Sequence, residues 1–299
     1  MKKDRFWSVG VQEYRSGDKC TVGFVAAYQV MSALLHYCTP ALLLRFSPLT
    51  LLLLFASCSN ISEDERLIYV KPAAVSRSVL IEDFTGQRCI NCPNANDEVH
   101  QLQAQYGEEA VIAVAIHSGP LAFYTNNRFL GLRTETGDAY YDYWQIEYQP
   151  VGMVNRTGLL DYTSWNGKIR EELQKTAPVN ITLDTKLTGR QLDIVTTLQG
   201  VDGTFNGKLQ LWLVEDNITA FQMMPDGSRQ DDYVHQHVFR AAVNGTWGEE
   251  LSIREGESKE IAHQGVTLPD DWNLQQLSVI AFVYDDKGVQ QVRKLKVEG

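Results

Sequence analysis

Two cysteines three residues apart, Cys89 and Cys92, are the residues of this sequence best placed to do chemistry. They follow a run of β-forming residues, 79–84, and Pro93 directly after them suits the first turn of a helix. At a helix N-terminus, partial positive charge and free N–H groups stabilise a thiolate. A free thiol with a pKa of about 8.5 can fall to roughly 3.5–7.5 in such a position, which makes it nucleophilic at neutral pH. The spacing therefore predicts a thiol pair able to exchange with disulfides.

The segments that position this pair are predicted to form a strand–helix–strand unit. Apolar runs at 79–84 and 111–116 predict buried strands, and residues 93–106 between them predict a helix. Val99 and Leu102 give this helix one buried face, at the spacing of a helical turn. A strand, a crossover helix and a second strand of these lengths favour a parallel pair.

Three further segments continue this unit. Residues 118–148 form a long aromatic-rich insertion, predicted to be helical over about 133–146. Its aromatic rings are expected to pack in the core, and a substrate lid is the alternative. A third strand is predicted at 150–155 and another helix at about 163–175. Together with the first strands they predict an α/β domain.

No helical period appears beyond Pro178, where short strand-like stretches alternate with turn signals such as Asp226-Gly227. The pattern predicts an antiparallel β-sandwich of the immunoglobulin-like type, with a domain boundary near Ala177–Pro178. The predicted strands are 179–187, 191–198, 207–214, 233–241, 260–266 and 277–284.

The N-terminal part reads as an export signal. The apolar run 41–56 is shorter than the roughly 20 residues of a bilayer span and ends in Ala56-Ser57-Cys58. This end resembles the lipobox of bacterial lipoproteins, which implies lipidation of Cys58 and anchoring in a membrane. The predicted divisions are an export segment at 1–57, a lipidated tether at 58–76, an α/β domain at 77–177 and a β-sandwich at 178–299.

The net charge of the chain limits the classes of binding partner that the sequence predicts. The chain carries a net charge of −10, and from Cys58 onward 21 basic residues face 34 acidic ones. No basic cluster remains to bind nucleic acid, which needs a Lys/Arg footprint. The expected partners are thiols or disulfides of other proteins, or a partner protein in the cell envelope.

Residues 79–155 resemble the thioredoxin superfamily. Asp83 stands six residues before Cys89, where thioredoxins keep a buried carboxylate that handles the proton of the second thiol. Pro150 begins the third strand, where the superfamily places a cis-proline against the cysteines. Arg88 replaces the usual Trp before the first cysteine, and Ile90-Asn91 replaces Gly-Pro between the two.

A narrower resemblance is to the outer-membrane-protein-28-related lipoproteins. It is carried by Asp83-Phe84-Thr85-Gly86, the segment Cys89–Pro93, Ile116-His117-Ser118-Gly119 and the segment Pro150–Arg156. The resemblance implies an exported, thioredoxin-like protein with a C-terminal β domain, located in the cell envelope as an outer-membrane lipoprotein.

The resemblance and the helix position together suggest a mechanism of exchange. Cys89 attacks a substrate disulfide, Cys92 resolves the mixed disulfide, and Asp83 relays a proton, while the backbone at Pro150 aligns the substrate and Arg88 adds thiolate stabilisation. The alternative is a non-enzymatic binding or adhesion lipoprotein in which Cys89 and Cys92 form a permanent structural disulfide. The sequence leaves both alternatives open, an enzyme of thiol–disulfide exchange and a non-enzymatic lipoprotein.

Metal and cofactor sites receive little support from the sequence. His235 and His237 lie two apart on a predicted strand, so both point to one face and form a weak candidate for chelation. No third ligand is identifiable, and solvent-facing histidines are the preferred interpretation. No cofactor is expected.

Overall fold

A computed structural model describes residues 71–298, which belong to one compact unit. The predicted export segment and the predicted lipidation site Cys58 lie outside the described residues. Within these residues the α-helices are α1 (Cys92–Tyr106), α2 (Glu135–Tyr143) and α3 (Trp165–Glu172), and two short 3₁₀ helices lie at Tyr162–Ser164 and Leu274–Gln276. The strands are β1 (Val75–Ser76), β2 (Val79–Thr85), β3 (Val111–His117), β4 (Val151–Val154), β5 (Leu159–Leu160), β6 (Thr176–Ala177), β7 (Val179–Thr188), β8 (Gln191–Gly200), β9 (Thr204–Glu215), β10 (Ile218–Met223), β11 (Arg229–His235), β12 (Val238–Ala242), β13 (Glu249–Arg254), β14 (Ser258–Thr267), β15 (Leu277–Asp285) and β16 (Gly288–Lys296).

The largest sheet has nine strands and joins both halves of the chain. Its order is β16-β15-β9-β12-β3-β2-β4-β5, with β13 also pairing with β9. Strands β2 and β3 run parallel in the register Val79↔Val111, and β4 pairs antiparallel with β2. Strand β12 lies beside β3 and pairs Val238 with Ala115, so strands from beyond residue 178 continue the sheet that begins at β2.

The fold class predicted from the sequence is therefore wrong. A thioredoxin-like α/β domain followed by an antiparallel sandwich is not what forms: the described chain is mostly β, with 47% strand and 17% helix, distributed over several sheets. The strand–helix–strand unit β2–α1–β3 is present, but its sheet extends into β12, β9, β15 and β16.

The physical reason lies in strands β9 and β15, which bury both faces. In β15 the residues Val279 and Ala281 pack into one apolar core, while Ile280 and Phe282 between them pack into another. A sandwich strand with one solvated face alternates apolar and polar residues, whereas a strand covered on both faces is apolar throughout. The second face of these strands packs on residues that precede Pro178, among them Phe84 and Tyr140.

The described residues form three large apolar cores and one small cluster of Leu132, Ile218 and Val238. One packs α1 and α3 on β2, β3 and β4, and contains residues 79–173 only. A second lies on the opposite face of the same strands and joins Phe84 and Tyr140 to Trp212 and Phe282. The third packs the three-stranded sheet β14-β8-β7 against β9, β13 and β15.

The hairpin β10–β11 is the element that matters most for the cysteine pair. It is a separate two-stranded sheet with the register Ile218↔His235, closed by a turn in which Gly227 adopts a positive φ of 79°. Met223 at the end of β10 donates its backbone N–H to the carbonyl of Gln87 at 2.9 Å, in the loop that precedes Cys89. The hairpin thus lies against the loop that carries the pair.

No helix within residues 71–298 combines the length and the apolar character that crossing a bilayer requires.

Candidate functional site at the cysteine pair

Cys89 and Cys92 form a disulfide, with an S–S distance of 2.08 Å and Cα atoms 5.4 Å apart. Cys89 lies in the loop after β2, and Cys92 is the first residue of α1, with Pro93 in its first turn. The sequence-predicted position at the start of a helix is thus where the pair lies. Cys89 is 2% exposed and Cys92 is 3% exposed, although Ile90 between them is 45% exposed.

The hairpin β10–β11 covers this disulfide. The side-chain amide Nε2 of Gln222 in β10 donates to the carbonyl oxygen of Cys89 at 2.8 Å, and it lies 3.4 Å from the carbonyl oxygen of Gly86. From β11, the hydroxyl of Tyr233 accepts a hydrogen bond from Asn96 Nδ2 on α1 at 3.1 Å. Both strands of the hairpin are therefore attached to the elements that hold the cysteines.

A cavity of about 20 Å³ lies between the hairpin and the strands, next to Cys92. Its lining includes Asp83 from β2, His117 from β3 and His235 from β11. Asp83 Oδ1, His117 Nδ1 and His235 Nε2 are buried and make no hydrogen bond to any described residue. A space of this size holds about one water molecule, and so it is far too small for a peptide.

Burial sets the protonation of these three groups. It raises the pKa of the Asp83 carboxyl from 3.8 to about 7, because the charged form loses its hydration. Burial lowers the pKa of His235 to about 4. Burial, followed by the nearby His235 ring, lowers the pKa of His117 well below its ordinary value. The two imidazoles lie 5.2 Å apart between ring centroids and are neutral at pH 7.

Two other sequence-predicted site residues are Pro150, directly before β4, and Arg88, which directly precedes Cys89. The Gln149–Pro150 peptide bond is cis, and Gln149 Nε2 donates to the carbonyl of Thr85 at 2.8 Å, at the end of β2. Arg88 is exposed, and its guanidinium carbon lies 5.2 Å from the centroid of the Phe123 ring. The structure thus pairs the Arg88 guanidinium with an aromatic ring.

The two candidate metal ligands do not share a site. His235 ends β11 and faces the cavity beside Cys92, whereas His237 follows the strand with a positive φ of 56° and lines a different cleft with His100. His237 Nδ1 lies 2.9 Å from Asp216 Oδ1. Among residues 71–298, no three His, Cys, Asp or Glu side chains are arranged to hold a metal ion.

Sequence reasoning did not identify the covering residues Gln222 and Tyr233. The Asp226-Gly227 turn signal marks the hairpin locally, but nothing in its spacing indicates where the hairpin docks. The sequence predicts a metal ligand or a surface residue at His235, whereas the side chain is 5% exposed and lines the cavity beside Cys92.

The arrangement is a buried disulfide with a neutral polar lining. Exchange begins when a thiolate attacks a disulfide sulfur, so its rate depends on access to that sulfur. Here both cysteines are at most 3% exposed and the hairpin is hydrogen-bonded to their loop, so little of the disulfide is accessible.

Comparison with known proteins identifies relatives of this chain. A family model described as "Outer membrane protein Omp28" matches residues 137–299. No curated protein sequence matches the chain.

Solved structures add a likeness of fold. HBP35 of Porphyromonas gingivalis superposes with a TM-score of 0.59 at 16% sequence identity, covering 76% of this chain and 77% of that one. A domain of the outer membrane lipoprotein Omp28 from Porphyromonas gingivalis is 23% identical and matches 41% of this chain and 97% of its own, with a TM-score of 0.29. These comparisons give no support to the thioredoxin-like part of the sequence resemblance.

Proposed function

Because the chain belongs to the Omp28 family of outer membrane proteins, we propose that it is a non-enzymatic outer-membrane lipoprotein that binds a ligand or partner. The family membership confirms the location predicted from the sequence, the outer membrane of the cell envelope. In this proposal the Cys89–Cys92 disulfide is structural and supports the fold beneath the hairpin β10–β11.

One observation carries the proposal: both cysteines are at most 3% exposed, beneath a hairpin that is hydrogen-bonded to their loop. A catalytic disulfide must offer one sulfur to an incoming thiolate. Here Gln222 is hydrogen-bonded to the carbonyl of Cys89, and Gln222, Tyr233 and His235 line the small cavity beside Cys92. Such burial favours a disulfide that persists over one that turns over.

Membrane anchoring is part of the same proposal. The resemblance of Ala56-Ser57-Cys58 to a lipobox supports lipidation of Cys58. Metabolic labelling of cells with an alkyne-bearing fatty acid should label the wild-type chain and leave Cys58→Ala unlabelled. Equal labelling of the two chains would count against an anchor at Cys58.

An insulin-reduction assay tests the central claim. With dithiothreitol as the electron source, we expect the purified protein to leave the rate of insulin precipitation at that of dithiothreitol alone. The matched control is Cys89→Ser/Cys92→Ser, which lacks the pair and should give the same rate. Acceleration by the wild type that the double variant abolishes would overturn the proposal and favour thiol–disulfide exchange.

A further inference from the structure

A cleft of about 480 Å³ lies away from the cysteine pair and shares no residue with the cavity at Cys92. It is formed by the end of α2, the connection between β12 and β13, and the turn between β15 and β16. Four aromatic side chains contribute to its lining: Tyr143, Trp144, Trp247 and Tyr284. Its volume falls within the roughly 300–1,000 Å³ of small-molecule sites, so its size suits a small ligand.

Hydrogen bonds to the core fix the aromatic wall of the cleft. The Tyr140 hydroxyl donates to the carbonyl of Thr246 at 2.6 Å, and the Tyr284 hydroxyl donates to the carbonyl of Trp247 at 2.7 Å. The ring of Trp247 also lies 5.1 Å from the ring of Tyr140, edge to face. The β12–β13 connection is thus attached to α2 and β15, and the wall does not have to form when a ligand arrives.

The open side of the cleft exposes aromatic surface to solvent. Tyr143 is 62% exposed, and its ring lies 4.4 Å from that of Trp247 and 4.9 Å from that of Trp144. The faces of Trp and Tyr rings attract cations, because each face carries the negative part of the ring quadrupole. These three grouped rings therefore offer a surface on which a cation can pack.

The positive charges in the lining already have acidic partners. Arg156 contacts Glu82 through Nε and Nη2 at 3.0–3.1 Å, and both side chains are at most 3% exposed. Lys208 Nζ lies 3.3 Å from Glu250 Oε1. Neither Glu82 nor Glu250 lines the cleft. The two cations are therefore compensated from outside the cleft and do not neutralise its acidic side chains.

The negative charges in the lining are not compensated in this way. Asp285 and Asp286 line the cleft, and neither forms an ion pair with a described residue. Asp285 Oδ1 accepts only from uncharged donors, the backbone N–H of Lys287 and Nε2 of Gln290, both at 2.9 Å. The Lys287 side chain is exposed and does not line the cleft. The cleft therefore presents a net negative charge beside its aromatic rings.

The aromatic lining decides which kind of cation fits. A calcium ion takes six to eight oxygen ligands, and residues 71–298 contain no group of three acidic, histidine or cysteine side chains arranged for a metal ion. A methylated ammonium group is held by aromatic ring faces instead, and aromatic sites are the usual way in which proteins recognise it. Rings together with two carboxylates thus favour an organic cation over a metal ion.

We propose that this cleft binds a small organic cation with a methylated ammonium group. The methyl groups pack on the rings of Tyr143 and Trp247, and the positive charge faces the carboxylates of Asp285 and Asp286. The inference rests on the proposed binding function and names its ligand class.

Titration of tryptophan fluorescence at constant ionic strength tests this assignment with three probes of similar size. Choline carries the methylated ammonium group, neohexyl alcohol has the same shape with carbon in place of the nitrogen, and ethanolamine carries an unmethylated ammonium group. We expect choline to give a saturable change, neohexyl alcohol to give none over the same concentrations, and ethanolamine to bind more weakly than choline.

Tyr143→Ala tests the contribution of the rings. It should weaken the binding of choline about fivefold, as the loss of one exposed cation–π contact implies. The variant keeps Trp144 and Trp247, so the fluorescence signal at the cleft remains. Tyr148→Ala is the matched control, because Tyr148 is 55% exposed and lies outside the cleft lining, and it should bind like the wild type.

Asp286→Asn tests the contribution of charge. It should weaken the binding of choline about threefold, as the loss of one exposed charge contact implies, and should reduce the weakening caused by added sodium chloride. Asp97→Asn is the matched control, since Asp97 is exposed on α1 and lies outside the cleft lining. Both Tyr143 and Asp286 are exposed, and urea unfolding of each variant checks that its fold is retained.

Four outcomes overturn the inference. They are the absence of a saturable change with choline, equal binding of choline and neohexyl alcohol, tighter binding of ethanolamine than of choline, and affinities for choline in Tyr143→Ala and Asp286→Asn equal to that of the wild type. The second of these favours a purely apolar ligand and the third favours a primary ammonium group such as a lysine side chain. None of them alters the insulin assay, whose positive outcome overturns the proposed function instead.

Discussion

The Gln222 side chain donates a hydrogen bond from Nε2 to the main-chain carbonyl oxygen of Cys89, 2.8 Å away, and so ties the hairpin β10–β11 to the loop of the disulfide. Gln222 is 3% exposed, so the bond is shielded from water. Removing one partner of a buried hydrogen bond costs about 1–3 kcal/mol, because the other partner stays unsatisfied. The contact is therefore strong enough to govern how often the hairpin opens.

Gln222→Ala should make the disulfide easier to reduce. If the lost bond destabilises the closed hairpin by about 1.4 kcal/mol, the open population rises about tenfold. The rate of reduction by dithiothreitol, followed by the gel shift of a maleimide–polyethylene glycol adduct, should rise by a similar factor. Gln230→Ala is the control, since Gln230 pairs with Gln222 across the hairpin but is exposed. Equal rates in all three chains would show that Gln222 does not hold the hairpin closed.

Asp83→Asn should stabilise the protein at every pH above about 4, with the gain reaching its full size above about pH 7. Burial raises the pKa of Asp83 from 3.8 to about 7, so between these values the folded chain keeps a proton that the unfolded chain has lost. The contribution of Asp83 to the free energy of unfolding is then greatest below about pH 4, falls as the pH rises to about 7, and stays low above that pH. This pKa shift corresponds to a loss of roughly 4 kcal/mol in the free energy of unfolding at high pH. The uncharged amide of Asp83→Asn avoids that loss.

Urea unfolding at pH 4.0 and pH 8.0 measures this effect. We expect Asp83→Asn to exceed the wild type in unfolding free energy at the higher pH and to match it at the lower. Asp97→Asn, on the exposed side of α1, controls for a change in net charge. A variant that gains equally at both pH values would mean that Asp83 is not protonated in the folded chain.

His235→Gln should reduce the loss of stability in acid. Burial lowers the pKa of His235 from 6.5 to about 4, so the folded chain stays neutral where the unfolded chain binds a proton. The stability from neutral His235 is full above about pH 6.5 and is lost as pH falls towards 4. Comparison of thermal unfolding at pH 7.0 and pH 4.5 should show a smaller drop for His235→Gln. His100→Gln, an exposed histidine on α1, should drop like the wild type.

Much of the local structure could be predicted from the sequence. The apolar run at 79–84 and the helix expected at 93–106 match β2 and α1 within a residue. The strand expected at 277–284 matches β15. Periodicity and turn residues suffice here because each pattern is local.

The arrangement of these elements could not be predicted in the same way. The pattern at 233–241 predicts one strand, whereas His237 adopts a positive φ and separates β11 from β12. This break sends β11 back over the disulfide and β12 beside β3. Strands that pair across more than a hundred residues leave no pattern in the local sequence. Neither the nine-stranded sheet nor the position of the hairpin β10–β11 could therefore be inferred from one sequence.

One buried ion pair shows how closely the two halves of the chain are joined. Arg156, after β4, contacts Glu82 on β2 through Nε and Nη2 at 3.0–3.1 Å. Its guanidinium carbon lies 5.5 Å from the Trp212 ring on β9 and 4.9 Å from the Phe282 ring on β15. Glu82 is fully buried, so Arg156 is the charge that compensates it within the core.

Arg156→Met should therefore destabilise the protein by about 3–5 kcal/mol, because it leaves the Glu82 carboxylate buried without a partner. Adding Glu82→Gln should recover part of this loss, since the double variant buries no charge. Urea unfolding of the wild type, both single variants and the double variant gives the coupling energy. Arg254→Met is the control: Arg254 is 79% exposed and pairs with Glu257 at 3.5 Å, so its loss should cost at most about 1 kcal/mol. If Arg156→Met cost no more than Arg254→Met, the pair would not fasten β2 to the strands that follow residue 178.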